Sequence, residues 1–364
     1  MNDPNRAAKE EHFESNDRSA RWLLGILIGV AVLLLVALVA GAASLLMLER
    51  TVPATQLVYS IQRSDSQAEF VTSEQMVMPL KRRLRELFVA GVQVNVIKDD
   101  QVEFTLPTRD PMQIKIAKNL LVSTGELRFL PIANPTRHAS VFELVKQTFD
   151  APTPQRDVHA PNGDLVARWV TVGVDANSEV ADQIAPLNIA LTSPVVRNSE
   201  TGRVFDLPEE LLGNASPMEV SRWLQEQHIA SIDVLAVVDN SQSLGGQDIA
   251  FAASTFDHNG SPCVAIQFTE AGGRNLFAMC TDNAPLGNVA TQLGIILDDR
   301  LLTAPKIMAP IQQEARITGN FTQEEVDFIV QLLKAGQLPA KLNPTPVAES
   351  QTTMSYSLLN SFIQ

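Results

Sequence analysis

The chain has 364 residues, enough for two or three folded units with substantial cores. Its composition, 45% hydrophobic, 19% charged and 5% aromatic with 21 Pro and 18 Gly, excludes bulk disorder and a collagen-like or low-complexity chain. The 28 Lys and Arg against 41 Asp and Glu give a formal net charge of −13. This balance argues against nucleic acid as a partner, because phosphate neutralisation needs a basic face.

An apolar run over 22–48 contains no charged residue, and Ser44 is its only polar side chain. About 20 apolar residues are enough for a helix to cross a bilayer. We therefore predict a single transmembrane anchor over 22–48. The alternative is a cleaved signal peptide, for which Ala40-Gly41-Ala42 offers small residues; the length of the apolar core favours an anchor.

The flanks of this run differ in positive charge. Four basic residues precede it and two follow it closely, namely Arg6, Lys9, Arg18 and Arg21 on one side and Arg50 and Arg63 on the other. Positive charge favours the cytoplasmic side. We therefore expect a cytoplasmic tail over 1–21, an inner-membrane anchor, and a body on the periplasmic side.

Residues 52–131 show alternating helix and strand patterns. Apolar residues at helical spacing predict a helix over 78–89, in which the basic residues between them form a solvated face. Alternation over 92–96 and 102–106 predicts a hairpin, and Asp110-Pro111 predicts the start of a second helix. The fold class is therefore α+β, with a helical layer on one face of a sheet.

The remaining body divides into three predicted parts. Residues 132–247 form a variable insertion of unassigned fold, although Ser216 and Glu219 form a capping box and 232–238 read as a strand. Residues 248–341 contain two predicted hairpins, over 249–268 and 293–302, and Thr269 is expected to cap a helix after the first. Thr322 with Glu325 opens a later helix that Gly336 ends. Residues 342–364 are predicted to be a flexible tail.

Several sequence blocks, in this order, resemble the first periplasmic domain of the SecD family, a membrane subunit of the Sec protein translocase. They cover residues 80–92, 102–107, 117–129, 256–260, 297–305, 317–322 and 333–340. The resemblance implies ferredoxin-like, SecD-type base and head subdomains over 52–131 and 248–341. Its structural motif positions are Gly125, Asp298, Pro305, Gly319, Phe321, Gly336 and Pro339.

The sequence departs from the family pattern at three places. The aspartate-leucine-x-glycine-glycine strand of the family has no counterpart between Val52 and Val77, and Asp299 stands where glycine is usual. The family continues after its Leu-Pro block into a bundle of membrane helices, whereas this sequence reaches only Gln364. The resemblance therefore implies that this chain alone does not conduct protons, since buried membrane charges carry such coupling.

The sequence offers no catalytic constellation. It contains no HExxH, GxSxG or glycine-rich phosphate motif, and Asp298-Asp299 is interpreted as a pair of turn formers that face water. Cys263 and Cys280 leave two alternatives, a single disulfide or two unpaired buried thiols. We expect no enzyme activity, no cofactor and no metal.

The functional hypothesis is a membrane-anchored, non-enzymatic SecD-like module that contacts translocating or unfolded polypeptide during Sec-dependent export. Its partners would be the membrane, Sec translocase subunits and unfolded secretory polypeptide. The predicted binding region comprises Phe251, Phe256, Val264, Ile266 and Phe268. Two alternatives remain: a SecD-derived structural or interaction module of the envelope without an export role, and a membrane-tethered hydrolase.

Overall fold

The computed structural model describes residues 35–36, 50–62, 71–85, 87–88, 91–147, 155–174, 187–212, 215–287 and 289–356. The predicted cytoplasmic tail over 1–21 and anchor over 22–48 therefore lie outside the described residues, except for Leu35 and Val36, which are helical. Among the described residues, no helix has both the length and the apolar character needed to cross a bilayer.

The described residues form helices and strands in alternation. The helices are α1 (Ser73–Leu84), α2 (Pro111–Val122), α3 (Ala139–Lys146), α4 (Pro217–Glu226), α5 (Glu270–Asp282) and α6 (Gln323–Ala335). The strands up to residue 237 are β1 (Arg50–Ser60), β2 (Gln93–Lys98), β3 (Gln101–Leu106), β4 (Leu127–Pro131), β5 (Asp157–His159), β6 (Leu165–Val172), β7 (Val195–Asn198), β8 (Val204–Asp206) and β9 (Ile232–Val237). The later strands are β10 (Ile249–Phe256), β11 (Pro262–Phe268), β12 (Leu293–Leu297), β13 (Arg300–Thr303), β14 (Glu314–Ile317) and β15 (Ala348–Tyr356).

The first sheet has the strand order β15-β1-β3-β2 and is antiparallel throughout. With α1 after β1 and α2 after β3, this is the split βαβ arrangement of ferredoxin-like folds. The expected ferredoxin-like unit is therefore present. Its last strand, β15, lies far from the others in the sequence, because residues 123–347 stand between α2 and β15.

The prediction of a flexible tail over 342–364 is wrong for residues 348–356, which form β15. This strand pairs along β1 from Val58↔Ala348 to Arg50↔Tyr356. An ion pair of 2.7 Å between Lys118 Nζ and Glu349 Oε2 also joins it to α2. The sequence analysis missed both strands, because their pairing joins residues about 300 positions apart and neither is strongly apolar.

The largest sheet has the order β4-β12-β13-β6-β9-β7-β8, with β5 paired to β6. It combines one strand of the predicted base, the strands of the insertion and one hairpin of the predicted head. The division of the chain into domains at residues 131 and 247 stays a prediction. Strands from both sides of each boundary nevertheless belong to this one hydrogen-bonded sheet. Both faces are covered: Val170 and Val234 pack under α4, and Trp169 and Leu235 pack under α3.

The third sheet has the order β10-β11-β14, and α6 packs on it. Its inner residues belong to the same buried cluster as those of the ferredoxin-like sheet, so these two parts share one core. The hydrophobic contribution of that core is of order 25 cal/mol for each Å² of apolar surface buried.

Local predictions about helix ends are confirmed. Side chains accept a helix amide at Asp110, Ser216, Thr269 and Thr322. Gly336 ends α6 as expected and has a positive φ of +80°, although its ψ of 173° differs from that of the αL conformation. The first helix is displaced from its predicted range of 78–89, because α1 begins at Ser73 and accommodates Pro79 within it.

Candidate functional site

The predicted binding region lies on the β10–β11 hairpin, but its five residues have two different environments. Phe251 and Phe256 on β10 are 57% and 59% exposed. In contrast, Val264, Ile266 and Phe268 on β11 are at most 4% exposed and belong to the core. These three cannot contact another chain without unfolding of the sheet, so they are corrected to core residues. Their apolar alternation marks the buried face of β11 rather than a binding surface.

Strand β10 is at the edge of its sheet, and the register shows which of its backbone groups face outward. The Asp257 amide donates to the Ser261 carbonyl at 2.8 Å, which closes the hairpin. Because inward and outward backbone groups alternate along an antiparallel strand, residues 253 and 255 bond to β11. The amides of Ala252, Ser254 and Phe256 therefore point away from the sheet. No backbone hydrogen bond from another described segment reaches them.

The chemistry of β10 sets it apart from the other edge strands. Its sequence, IAFAASTF, has no charged residue and no proline over eight residues. Natural edge strands are commonly protected by charge, proline, shortness or a bulge. Every other strand at a described sheet edge carries a charged residue, namely β2, β4, β5, β8, β14 and β15. The protection that β10 shows is a register shift between Ile249 and Phe251 at its start.

The two exposed aromatic residues extend from opposite faces of β10, since their positions differ by an odd number. On the face of Ser254, helix α6 contributes a hydrogen bond of 2.7 Å from Gln323 Nε2 to Ser254 Oγ. A strand added to this edge would therefore find Phe256 on the face that α6 covers and Phe251 on the opposite face.

Residues that carry the family resemblance meet around a buried cation, Arg83. Its side chain is 1% exposed, and its guanidinium donates to four carbonyls, those of Leu120 and Gly336 at 3.0 Å each, and those of Ser123 and Thr124. These carbonyls lie at or near the ends of α2 and α6. A cation is stabilised at a helix C-terminus, so Arg83 ties both helices to α1.

Asp298 and Gly125 complete this cluster. The Asp298 carboxylate accepts from the hydroxyls of Ser123 and Thr124 and from the Glu126 amide at 2.9 Å. Burial lowers the pKa of Arg83 to about 10, an effect that the Asp298 carboxylate opposes, so the guanidinium stays charged at neutral pH. At Gly125, φ is +70°, and an added Cβ would lie 2.6 Å from Arg83 Nη2.

Sequence analysis placed Arg83 on a solvated basic face, which is wrong for this residue. It occupies the buried stripe of α1 with Met76, Leu80 and Leu84. The helical spacing of Leu80, Arg83 and Leu87 could have identified Arg83 as a residue of the buried stripe. A charge at such a position must find polar partners in the interior.

The other motif residues shape turns and local packing. The Pro305 carbonyl accepts from the Leu293 amide at 2.8 Å, and Leu338, before the exposed Pro339, donates to the Thr124 carbonyl at 2.8 Å. At Gly319 an added Cβ would lie 2.8 Å from the ring of Phe321, which packs on the core. None of these residues belongs to β10.

The Asp298-Asp299 turn is confirmed, with φ of +50° and +65°, but the prediction that both acids face water is wrong. The Asp299 side chain is 14% exposed and bonds to Arg168 Nε at 2.8 Å. Burial alone would raise the pKa of Asp299, but the Arg168 guanidinium holds this pKa below its usual value. Asp299 therefore joins the β12–β13 turn to β6.

The two cysteines are both buried and unpaired. Burial raises the pKa of each thiol, so neither is a ready nucleophile. Of the two alternatives left by the sequence, the structure has the unpaired thiols.

Comparison with known proteins finds sequence similarity to one family. Residues 222–340, which include β10, match the family model for the P1 head subdomain of SecDF. The protein translocase subunit SecD of Acidaminococcus fermentans is 32% identical over 170 residues, covering 45% of this chain and 36% of that protein. The SecD subunit of Rickettsia typhi is 37% identical over 231 residues, covering 63% and 42%. The chain thus spans less than half the length of these curated relatives.

Two solved structures are similar in a more general way. A crystal structure of SecDF in the super-membrane-facing form is 17% identical with a TM-score of 0.46, and the match covers 84% of this chain and 31% of that chain. The structure of a membrane component SecDF that enhances protein export is 19% identical with a TM-score of 0.44, covering 80% and 98%.

Proposed function

We propose that this SecD-like chain binds extended polypeptide by adding it as a further strand to the outer edge of β10. The binding would be a non-enzymatic part of Sec-dependent protein export. The observation that carries the proposal is the uncharged edge strand with three outward amides and two exposed phenylalanines. An unfolded chain is the partner whose backbone can use such an edge.

The proposed binding would depend little on the amino-acid sequence of the bound polypeptide. Main-chain hydrogen bonds supply affinity for any extended segment that lacks proline, and Phe251 and Phe256 add apolar contacts on either face. Each amide–carbonyl bond contributes about 0.5–1.5 kcal/mol, so binding over a few residues would be reversible. Reversible holding that hinders backward movement suits a chain in transit.

The charge pattern of the sequence and the position of β1 support a location beside the periplasmic membrane surface. If residues 22–48 span the inner membrane with the N-terminus in the cytoplasm, β1 starts at Arg50, two residues beyond the bilayer segment. The ferredoxin-like sheet would then lie close to the periplasmic membrane surface. Sec translocase subunits are the expected neighbours, because the named relatives are translocase subunits.

A proline at the outer edge tests the proposal. Ser254→Pro removes an outward amide and none of the ladder to β11, so the fold should be retained. Binding of a fluorescein-labelled, reduced and alkylated secretory protein to the full chain in detergent micelles should weaken about tenfold, measured by fluorescence anisotropy.

Ser254→Ala is the matched control. It removes the hydrogen bond from Gln323 and keeps the outward amide, so its binding should equal that of the wild type. If wild type and Ser254→Pro bind equally, the edge is not the site. If the wild type binds no unfolded chain at all, the interaction module without an export role becomes the better account.

A further inference from the structure

A cavity of about 460 Å³ opens where β4, β9, the start of α3 and the end of α5 meet. Its volume lies in the range of sites for small ligands, so it is large enough to admit one long side chain. Leu130, Met279 and Leu286 supply an apolar part of the wall. Since Leu286 is 48% exposed, this part reaches the surface.

Two carboxylates at the cavity each use only one oxygen atom as a hydrogen-bond acceptor within the described residues. Asp239 Oδ1 accepts from the amide and hydroxyl of Ser241 at 2.8 and 2.6 Å, and Asp282 Oδ2 accepts from Gln242 Nε2. No hydrogen bond from a described residue reaches the second oxygen of either carboxylate. Asp282 is also the last residue of α5, where the helix dipole is negative.

Among the described residues, the positive groups at the cavity form no ion pair with these two carboxylates. Arg137 directs its guanidinium to the carbonyls of Asp282, at 2.6 Å, and Ala284, where it caps the end of α5. His138 Nδ1 accepts from the Asn134 amide at 3.1 Å, and burial, with Arg137 nearby, lowers the pKa of His138. His138 is therefore neutral at pH 7, and the cavity has one guanidinium against two carboxylates.

We propose that this cavity binds a lysine or arginine side chain of an extended polypeptide, with the cationic end on Asp239 and Asp282 and the stem on Met279 and Leu286. The inference rests on the proposed function in one respect, because it assigns a side-chain preference to the same bound polypeptide. The segment from Asp239 leads directly into β10 at Ile249. The net charge of −13 also favours basic segments of a polypeptide.

The first experiment probes the cavity without a peptide. The full chain, labelled with ¹³C-histidine, is titrated with n-pentylammonium or with n-pentanol, and the His138 resonance is assigned with His138→Gln. The ammonium should cause a saturable shift that n-pentanol does not cause. In the double variant Asp239→Asn and Asp282→Asn the affinity should fall about fivefold or more, since the charges are lost while asparagine keeps the local hydrogen bonds. An equal response to n-pentanol, or an unchanged double variant, overturns the inference.

The second experiment uses two labelled extended peptides that differ only in one lysine replaced by norleucine. The wild type should bind the lysine peptide about fivefold more tightly, and the double variant should lose this preference while keeping its affinity for the norleucine peptide. Ser254→Pro should weaken both peptides. Equal binding of both peptides by the wild type contradicts the inference. A cavity that responds to the ammonium in a chain that binds neither peptide contradicts the proposed function and supports the cation specificity of the cavity.

Discussion

The Arg83 cluster and the β10 edge use polar groups in opposite ways. Around Arg83, four carbonyls accept from one buried guanidinium, and the nearby Asp298 carboxylate accepts from two hydroxyls and an amide. Along β10, backbone amides and carbonyls face outward with no charged side chain beside them. The cluster contains Gly125, Asp298 and Gly336, whereas the edge contains none of the motif positions. Residues that carry the resemblance to SecD can therefore maintain the fold while the proposed binding surface lies elsewhere.

The largest expected effect comes from removing the buried cation. Arg83→Met should lower the free energy of unfolding by about 3–5 kcal/mol, because four carbonyls lose their donor in the interior. Urea unfolding followed by tryptophan fluorescence measures this value. Arg82→Met is the control, because this side chain is exposed and reaches only the Ala335 carbonyl at 3.5 Å, so the value should change by less than about 1 kcal/mol. Equal effects of the two variants would show that the cluster does not hold the helices together.

A comparison of two glycine substitutions tests how closely the Arg83 cluster is packed. Gly125 and Gly163 both have positive φ, but an added Cβ meets Arg83 at Gly125 and nothing within 4 Å at Gly163. Gly125→Ala should therefore cost about 1–3 kcal/mol more than Gly163→Ala, whose cost is backbone strain alone. The same unfolding assay gives the difference, and similar values for both would argue against a tight cluster.

Acid titration tests the ion pair beside the cluster. The pKa of Asp299 is lower in the folded state, so the contribution of this carboxylate is present above the unfolded value of about 4 and is lost as the pH falls through the folded value. Asp299→Asn, which tolerates the left-handed turn, should cost about 1–3 kcal/mol at pH 7. The gap between wild type and variant should close as the pH falls through and below the folded pKa of Asp299. A gap that does not change with pH would contradict the ion pair.

The smallest effect on stability is expected at the edge. Phe251→Ser and Phe256→Ser should each change the free energy of unfolding by less than about 0.5 kcal/mol, because both side chains are more than half exposed. Each should nevertheless weaken binding of unfolded polypeptide severalfold in the anisotropy assay. Ile266→Ser is the contrasting variant, since it should unfold the sheet rather than affect binding selectively.

Local features of this fold are readable from the sequence because they depend on neighbouring residues. Asp110, Ser216, Thr269 and Thr322 cap their helices as expected, and the Asp298-Asp299 turn forms. Strand order is a different matter, because it joins distant segments. The pairing of β1 with β15 and the sheet formed by the insertion had no local pattern to predict them.

The candidate site was only partly predictable for the same reason. The sequence identified the β10–β11 hairpin, yet alternation alone could not tell that β11 is central and β10 is at the edge. That distinction depends on β14, which pairs with β11 and lies about 50 residues further along the chain. Likewise, the burial of Arg83 depends on carbonyls from α6, far away in the sequence.

Hydrogen exchange at single amides of β10, with and without bound unfolded polypeptide, tests the central claim most directly. The account predicts that the amides of Ala252, Ser254 and Phe256 exchange freely in the unbound chain and become protected on binding, while those of residues 253 and 255 are protected in both states. New protection confined to other segments, or no change at these three amides under saturating polypeptide, would contradict it.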